Sequence, residues 1–456
     1  MSLEMRKRFL AHPDELQTAM KKIKTSVSRN SPSISLRSVL SFVFIATVEE
    51  FDQYIAEPKC YRQSSMRPEF WPPDESGEKD LDDLIYGYEH LSMTVLCETR
   101  GLALYISITA KSISEVSTTT EQLLDRILKK FPEIDRSAIQ NPSFFRKALK
   151  GKSLRELITP LEQANLVVLF SGGDKKVCHF ENKSLTLPKN ITARVINANL
   201  TIQFLYQFYT DSGCCVDSLN PRLEFLIYFK DKNIVGFLSY YKFFINFQDF
   251  KVRIMQLFVL PGYRKQGIGS HLLKHLYSTF LSNPDCKLIT VKDPTTSFTR
   301  MQLVILSQLA LSSYAKEEVD RIFAFLGSEE VTDIHKLNLE SVENRLTLSL
   351  KSGRPTISKL IDVLMYSYLK LKGRKAEFLP HLRSKIRHKV EKEAARRTSK
   401  ESKKFLMLEG VLINSQAIKD TLECYLEAET PDINSIFQEQ LEELEGAVKN
   451  LNLEIN

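Results

Sequence analysis

The residues best suited to chemistry lie in one run, Arg253 to Leu273, where an apolar β-type segment enters a basic, glycine-punctuated turn and leaves as a helix. In the turn Arg264-Lys265-Gln266-Gly267-Ile268-Gly269-Ser270 the glycines let backbone approach an anion closely. Successive N–H groups at the following helix N-terminus can then point at phosphate oxygens. That order reads as a pyrophosphate cradle, with Gly267 and Gly269 its least replaceable residues. The glycines are not spaced as in the dinucleotide fingerprint.

The elements that must position this turn are legible around it. Leu223 to Phe229 and Ile234 to Ile245 alternate β-branched and aromatic residues with others, and Asp231-Lys232-Asn233 reads as the hairpin between them. Leu257-Phe-Val-Leu260 is fully apolar, which predicts an interior strand covered on both faces. His271 to Leu281 is amphipathic and helical, Lys287 to Val291 is a strand ended by Asp293-Pro294, and a helix is expected from about Phe298 to Leu311. Strand, cradle, helix, strand, helix describes the core of an α/β transferase. Upstream, the pattern predicts a helix over His12–Lys24, a Ser/Pro-rich loop over Asn30–Ser35, a buried strand within Val39–Val48, and a helix at Leu123–Leu128 capped from Ser117–Thr120. Past Gly327-Ser328 the composition shifts to helix formers. Phe437, Leu441, Leu444, Val448, Leu451 and Ile455 recur at spacings of four and three, a stripe that core packing and self-association explain equally well.

With 456 residues, 43% hydrophobic content and 16 Gly against 17 Pro, the chain exceeds one typical core and lacks the composition of a disordered protein. The reading divides it into residues 1–36 (helix and loop), 37–200 (an α+β domain), 201–326 (the cradle-bearing core) and 327–456 (a basic helical domain). No apolar stretch near the N-terminus approaches the roughly 20 residues of a membrane span, and no basic-then-apolar leader opens the chain. Seven cysteines, with Cys214 and Cys215 adjacent, show neither a CxxC pair nor metal-ligand spacing, so a reducing nuclear or cytoplasmic compartment and no metal are expected. The net charge of +7 is concentrated in Ser384–Lys404, with nine Lys/Arg against three Glu. No aromatic interleaves that run, which argues against direct nucleic-acid binding; it reads as a solvated helix face, with an acidic partner or nuclear import as the alternatives. Asp74, Glu75, Glu78, Asp80, Asp82 and Asp83 form an acidic cluster, read either as a solvated loop or as a landing site for a lysine-rich substrate. Cys286 has no nearby histidine, so direct transfer is favoured over a thiol nucleophile.

The pattern Arg264-x-x-Gly267-x-Gly269 after a strand resembles the acetyl-CoA signature of the GNAT acyltransferases, and within them the chain resembles the catalytic subunit of type B histone acetyltransferases. Three blocks carry the resemblance: Ile85-Tyr-Gly-Tyr-Glu-His-Leu91, Tyr240-Tyr-Lys-Phe-Phe-Ile245, and Thr290-Val-Lys-Asp-Pro-Thr-Thr-Ser-Phe298. It covers most of Val39 to Lys404 and is strongest from Leu223 to Phe298. The implied fold is mixed α/β, a GNAT core between an N-terminal α+β domain and a C-terminal helical domain. The implied activity is transfer of acetyl from acetyl-CoA to a lysine of newly synthesised histone tails. By resemblance, the backbone of Leu257, Phe258 and Val259 pairs with the pantetheine arm, and Arg264, Lys265, Gln266, Gly267, Ile268, Gly269 and Ser270 hold the pyrophosphate. Pro294 and Phe298 then line the thioester end, while Asp82, Asp83, Tyr241, Lys242 and Phe243 match positions that contact the histone tail. A WD-repeat histone chaperone is the implied partner.

One position departs from the family. A free lysine amine, with a pKa of about 10.4, must lose a proton before it attacks, and the family uses glutamate for this. This chain has Lys292 there, which repels an incoming ammonium. The family's Leu-Arg-Asp that follows also reads Met301-Gln302-Leu303 here. Three readings remain open. Asp293 takes the proton, although in an extended strand it would point opposite to Lys292; or water and the acidic cluster suffice, positioning supplying much of the rate; or the chain is a pseudoenzyme that binds acetyl-CoA or histones as a chaperone partner.

Overall fold

The computed structural model describes residues 33–58, 65–69, 84–86, 88–112, 119–128, 134–163, 168–172, 175–180, 189–210, 216, 220, 222–328, 339–392, 433–449 and 451. The expected helix over His12–Lys24 and the acidic cluster lie outside them. The described residues form a mixed α/β protein. Its Cα proximities define two compact units, residues 1–237 with 258–266 and residues 238–257 with 267–456, so the chain passes from one to the other inside strands.

Three sheets are formed from β1 (Ser33–Ser35), β2 (Leu40–Ile45), β3 (Leu84–Tyr86), β4 (Tyr88–Glu98), β5 (Leu104–Ser112), β6 (Val168–Gly172), β7 (Lys175–Phe180), β8 (Leu223–Lys230), β9 (Asn233–Phe244), β10 (Phe250–Val259) and β11 (Cys286–Val291). The strand orders are β1-β3, β2-β4-β5 and β11-β10-β9-β8-β7-β6. The loop expected up to Ser35 therefore ends in a strand, because Ser33–Ser35 finds Leu84–Tyr86 as an antiparallel partner. The strand expected over Val39–Val48 is shorter, since Thr47 and Glu50 close a capping box that starts helix α1 (Val48–Ala56).

In the first unit, β2 pairs in parallel with β4, and β4 pairs antiparallel with β5. Helices α2 (Thr120–Leu128), α3 (Pro142–Lys150), α4 (Leu154–Gln163) and α5 (Lys189–Tyr209) accompany these strands. Phe42 is fully buried, its ring centroid 5.3 Å from Phe208 and 5.4 Å from Tyr209, so β2 and α5 share one apolar core. The carboxylate of Glu156, at the head of α4, accepts from Lys232 Nζ at 2.6 Å, from the Ser153 amide at 2.8 Å and from Ser153 Oγ at 2.9 Å. The Lys232 bond and these Ser153 donors hold its pKa down at about 2. A depressed carboxylate contributes stability above its unfolded pKa and loses it as pH falls through the folded value. Glu156→Gln should therefore flatten the acid limb of the stability curve between about pH 4.5 and pH 2, by about 1 kcal/mol because the pair is partly solvated. A urea titration series across that range checks this, and an unaltered acid limb would refute it.

The second unit carries α6 (Ile268–Leu281), α7 (Thr296–Leu309), α8 (Lys316–Gly327), α9 (Leu339–Leu350), α10 (Arg354–Leu371), α11 (residues 378–392) and α12 (Ile433–Lys449). Lys351 Nζ donates to the carbonyls of Phe280, Leu281 and Asn283, which closes the C-terminal end of α6. Gln302 Nε2 donates to Tyr277 Oη at 2.7 Å inside the core and so clasps α7 to α6. Part of the apolar stripe is used within the chain: Phe437 and Leu444 of α12 and Leu451 just beyond it are buried, Leu441 and Val448 are half-buried, Ile455 lies outside the described residues, and α12 packs on α7 and α10. Lys359 pairs with Glu443 at 3.0 Å, and Tyr366 Oη donates to Glu445 at 2.8 Å.

Candidate functional site

β10 sets the frame of the site. Its ladder with β11 runs in parallel from Phe250↔Cys286 to Ile254↔Val291, and the Lys292 amide donates to the Ile254 carbonyl at 2.9 Å. β10 then continues past the end of β11 to Val259, with β9 its neighbour on the other side. Among the described residues no strand pairs with its β11-side edge past Ile254. Asp293 stops β11, with φ of 40° in a bend, so the strand alternation that would have set it opposite Lys292 does not apply. Pro294 follows, and Thr295 Oγ1 accepts from the Phe298 amide to start α7. Lys292, Asp293 and Pro294 are exposed, while Phe298 is half-buried.

The expectation that the Leu257–Leu260 stretch is covered on both faces fails. Even-numbered residues of β10 are buried, including Phe258, whereas Leu257 and Val259 are only half-buried and Lys251 and Arg253 are exposed. Apolar side chains on an uncovered face next to an unpaired backbone edge suit an extended, partly apolar ligand arm.

The turn after β10 delivers the anion geometry. Lys265 has φ of 60° and Gly267 has φ of 79°, the left-handed region that glycine enters without strain. Gly267 is the N-cap of α6 and provides no side-chain cap, so the first-turn N–H groups of Ile268, Gly269 and Ser270 project from a positive helix end. A Cβ on Gly267 would meet nothing within 4 Å, so its requirement is conformational. A Cβ on Gly269 would lie 3.4 Å from Met301 Sδ and 3.7 Å from Leu257 Cδ2, ordinary contacts that admit alanine and leave no room for a larger side chain in that direction.

Arg264 is otherwise occupied. Its guanidinium donates to both Glu69 oxygens at 2.6 and 2.8 Å and to the Tyr209 carbonyl at 3.0 Å, which braces the start of the turn. Lys265 and Gln266 are exposed, and Gln266 Nε2 donates to the Gly262 carbonyl at 3.3 Å. Lys230 was not singled out by the sequence; its Nζ lies 5.6 Å from the Tyr263 ring centroid and donates to Gln266 Oε1 at 3.5 Å. Its place as the last residue of a strand that ends beside the turn was the available signal. Arg264→Ala should loosen the turn and weaken acetyl-CoA binding about fivefold through geometry alone, with Arg264→Lys only partly restoring it. Calorimetry reads this, and an affinity unchanged by Arg264→Ala would remove the brace from the account.

Of the expected substrate residues, Asp82 and Asp83 lie outside the described residues. Tyr241 and Phe243 share a face of β9, their rings 5.9 Å apart and edge-on. Lys242 points to the other face, its ammonium over the rings of Phe250 and Phe280. Cys286 is buried, and burial pushes its thiol up, away from the reactive thiolate.

In this mixed α/β fold the strand edge left beyond the β10–β11 ladder leads into an uncapped, glycine-led helix N-terminus, a place where an anionic group can be held. Residues 198–299 match the acetyltransferase (GNAT) family, and the chain carries a domain of that family. It is similar to the histone acetyltransferase type B catalytic subunit of Schizosaccharomyces pombe, 26% identical over 232 residues that cover 47% of this chain and 53% of that protein. The Arabidopsis thaliana protein of the same name is 23% identical over 336 residues, 69% of each chain. The Neurospora crassa protein of that name is 24% identical over 287 residues, 50% of this chain and 54% of its own. The match to the first and third spans about half the length of those relatives.

Proposed function

We propose that the chain is a histone lysine acetyltransferase of the type B kind, taking acetyl from acetyl-CoA and passing it to a lysine of newly synthesised histone tails. The observation that carries this reading is the unpaired edge of β10, which runs from the end of the β11 ladder to the uncapped start of α6. Acetyl-CoA fits the residues present: its pantetheine amides pair along Leu257, Phe258 and Val259, and its pyrophosphate lies against the N–H groups after Gly267, with Lys265 and Gln266 beside them. Pro294 and Phe298 face the thioester, which the cofactor supplies already activated. Asp293 takes the amine proton, directly or through water, being the acidic side chain next to the ladder end. Tyr241 and Phe243 flank the acceptor. No metal enters the scheme, and the reading places the protein in nucleus and cytoplasm.

Titrating acetyl-CoA into the full chain and following label from acetyl-CoA into a histone-tail peptide tests this. Binding with transfer supports it. Absent binding overturns it, and binding without transfer in any variant favours the second reading, a pseudoenzyme that binds acetyl-CoA or histones as a chaperone partner, which Lys292 motivates.

A partner surface accompanies the reading. Phe244 and Ile245 are exposed and Phe247 fully so, at the tip of the β9–β10 hairpin. An exposed apolar tip of this kind fits a protein partner, and the relatives are named as subunits; a WD-repeat histone chaperone is the partner proposed. Replacing all three residues with serine should weaken such association at least tenfold without lowering the melting temperature. Unchanged co-elution with the chaperone would sink it.

A further inference from the structure

We propose that Arg253 recognises an anionic group on the acyl acceptor, so that the preferred lysine has a carboxylate or phosphate close by in its own chain. The inference rests on the acetyltransferase reading and names the substrate class for that site.

Arg253 sits one residue before the ladder ends, its Cα partnered with Thr290 of β11, directly ahead of the Ile254–Val291 pair where the two strands part. The transfer centre of the proposed reaction begins there. Its side chain is exposed, and its guanidinium lies 5.4 Å from the Phe243 ring centroid, which with Tyr241 forms a small aromatic face. Among the described residues no carboxylate pairs with it. The nearest sequence acid on the hairpin, Asp249, is committed to Lys287 at 3.0 Å and to Asn246 Nδ2 at 2.9 Å. Lys251, also exposed on the same face of β10, and Lys292 after the ladder add positive charge.

An arginine stacked on an aromatic ring keeps its donor edge open, and its planar fork matches two oxygens of a carboxylate or phosphate. A surface of this sign disfavours a purely basic segment, whereas the incoming ammonium itself is served by Asp293. The acceptor that satisfies both is a lysine whose neighbour bears an oxyanion. A histone tail meets this only where an acidic or phosphorylated residue adjoins the target.

The test uses the full chain with saturating acetyl-CoA and fluorescent eleven-residue Gly/Ser peptides carrying one central lysine. At each position from three before to three after the lysine, alanine, aspartate, phosphoserine or arginine is placed, and binding is read by anisotropy. At one or two positions the native chain should bind the anionic peptides about tenfold more tightly than the alanine peptide, the aspartate and phosphoserine arms separating carboxylate from phosphate. Arg253→Gln should abolish that preference and Arg253→Glu should turn it toward the arginine peptide, with acetyl-CoA affinity unchanged in both. Equal binding of all peptides, or a preference that survives Arg253→Glu, overturns the proposal while leaving the cofactor reading intact. A native chain that does not bind acetyl-CoA overturns both.

Discussion

Lys292→Glu should raise acetyl transfer by about a hundredfold at neutral pH. The position follows directly on β11, its amide tied to the Ile254 carbonyl where the β10–β11 ladder ends, and its side chain is exposed. A carboxylate there exchanges a repulsive ammonium for a proton acceptor beside the attacking amine, and a positioned general base is worth about 10²- to 10⁴-fold. The converse change, Asp293→Asn, should cost the native chain a similar factor, because asparagine keeps the bend and removes the acceptor. Initial rates across pH 6 to 9 decide the matter. Rates indifferent to both substitutions would place the base outside the Lys292–Asp293 bend.

The cofactor turn carries the second large effect. Gly267→Val forces a β-branched residue to φ near 79°, a conformation that costs about 1–3 kcal/mol and that the chain will relieve by turning N–H groups away from the anion. Gly269→Phe drives a ring into Met301 and Leu257. Each should weaken acetyl-CoA binding by at least about a hundredfold, whereas Gly269→Ala, whose Cβ makes only ordinary contacts, should bind nearly as the native chain does. Calorimetry reads the affinities, and circular dichroism confirms that each variant folds. Full affinity in folded Gly267→Val would displace the anion from this turn.

What could be read in advance was local. The hairpin at Asp231–Asn233, the helix after Gly267 and the strand ahead of Asp293-Pro294 are written in short-range periodicity and turn chemistry, and the structure forms them within a few residues of the expected bounds. What escaped depends on partners distant in sequence. Leu257 and Val259 look like a two-sided core strand, yet β11 ends at Val291 and leaves them half-covered. Arg264 looks like a phosphate ligand, and only the structure shows that Glu69, 195 residues earlier, pairs with its guanidinium. Gln302, at a departure from the family pattern, is explained only once Tyr277 is seen beside it. The α12 stripe left two outcomes open, and only the structure shows that Phe437 and Leu444 are buried against the chain's own helices.

The seat of α12 also fixes an order of events during synthesis. A Cβ on Gly446 would come within 3.3 Å of the Arg300 guanidinium on α7, the helix that begins just after Pro294. α7 is thus fastened by residues that leave the ribosome well over a hundred positions after it. The nascent chain can form its hairpins and the glycine-led turn early, but the apolar flank of α7 stays open until α12 arrives, a long-range closure that is slow and exposes sticky surface meanwhile. Chaperone dependence during translation, and poor yield from chains cut before residue 433, are the outcomes expected of this arrangement.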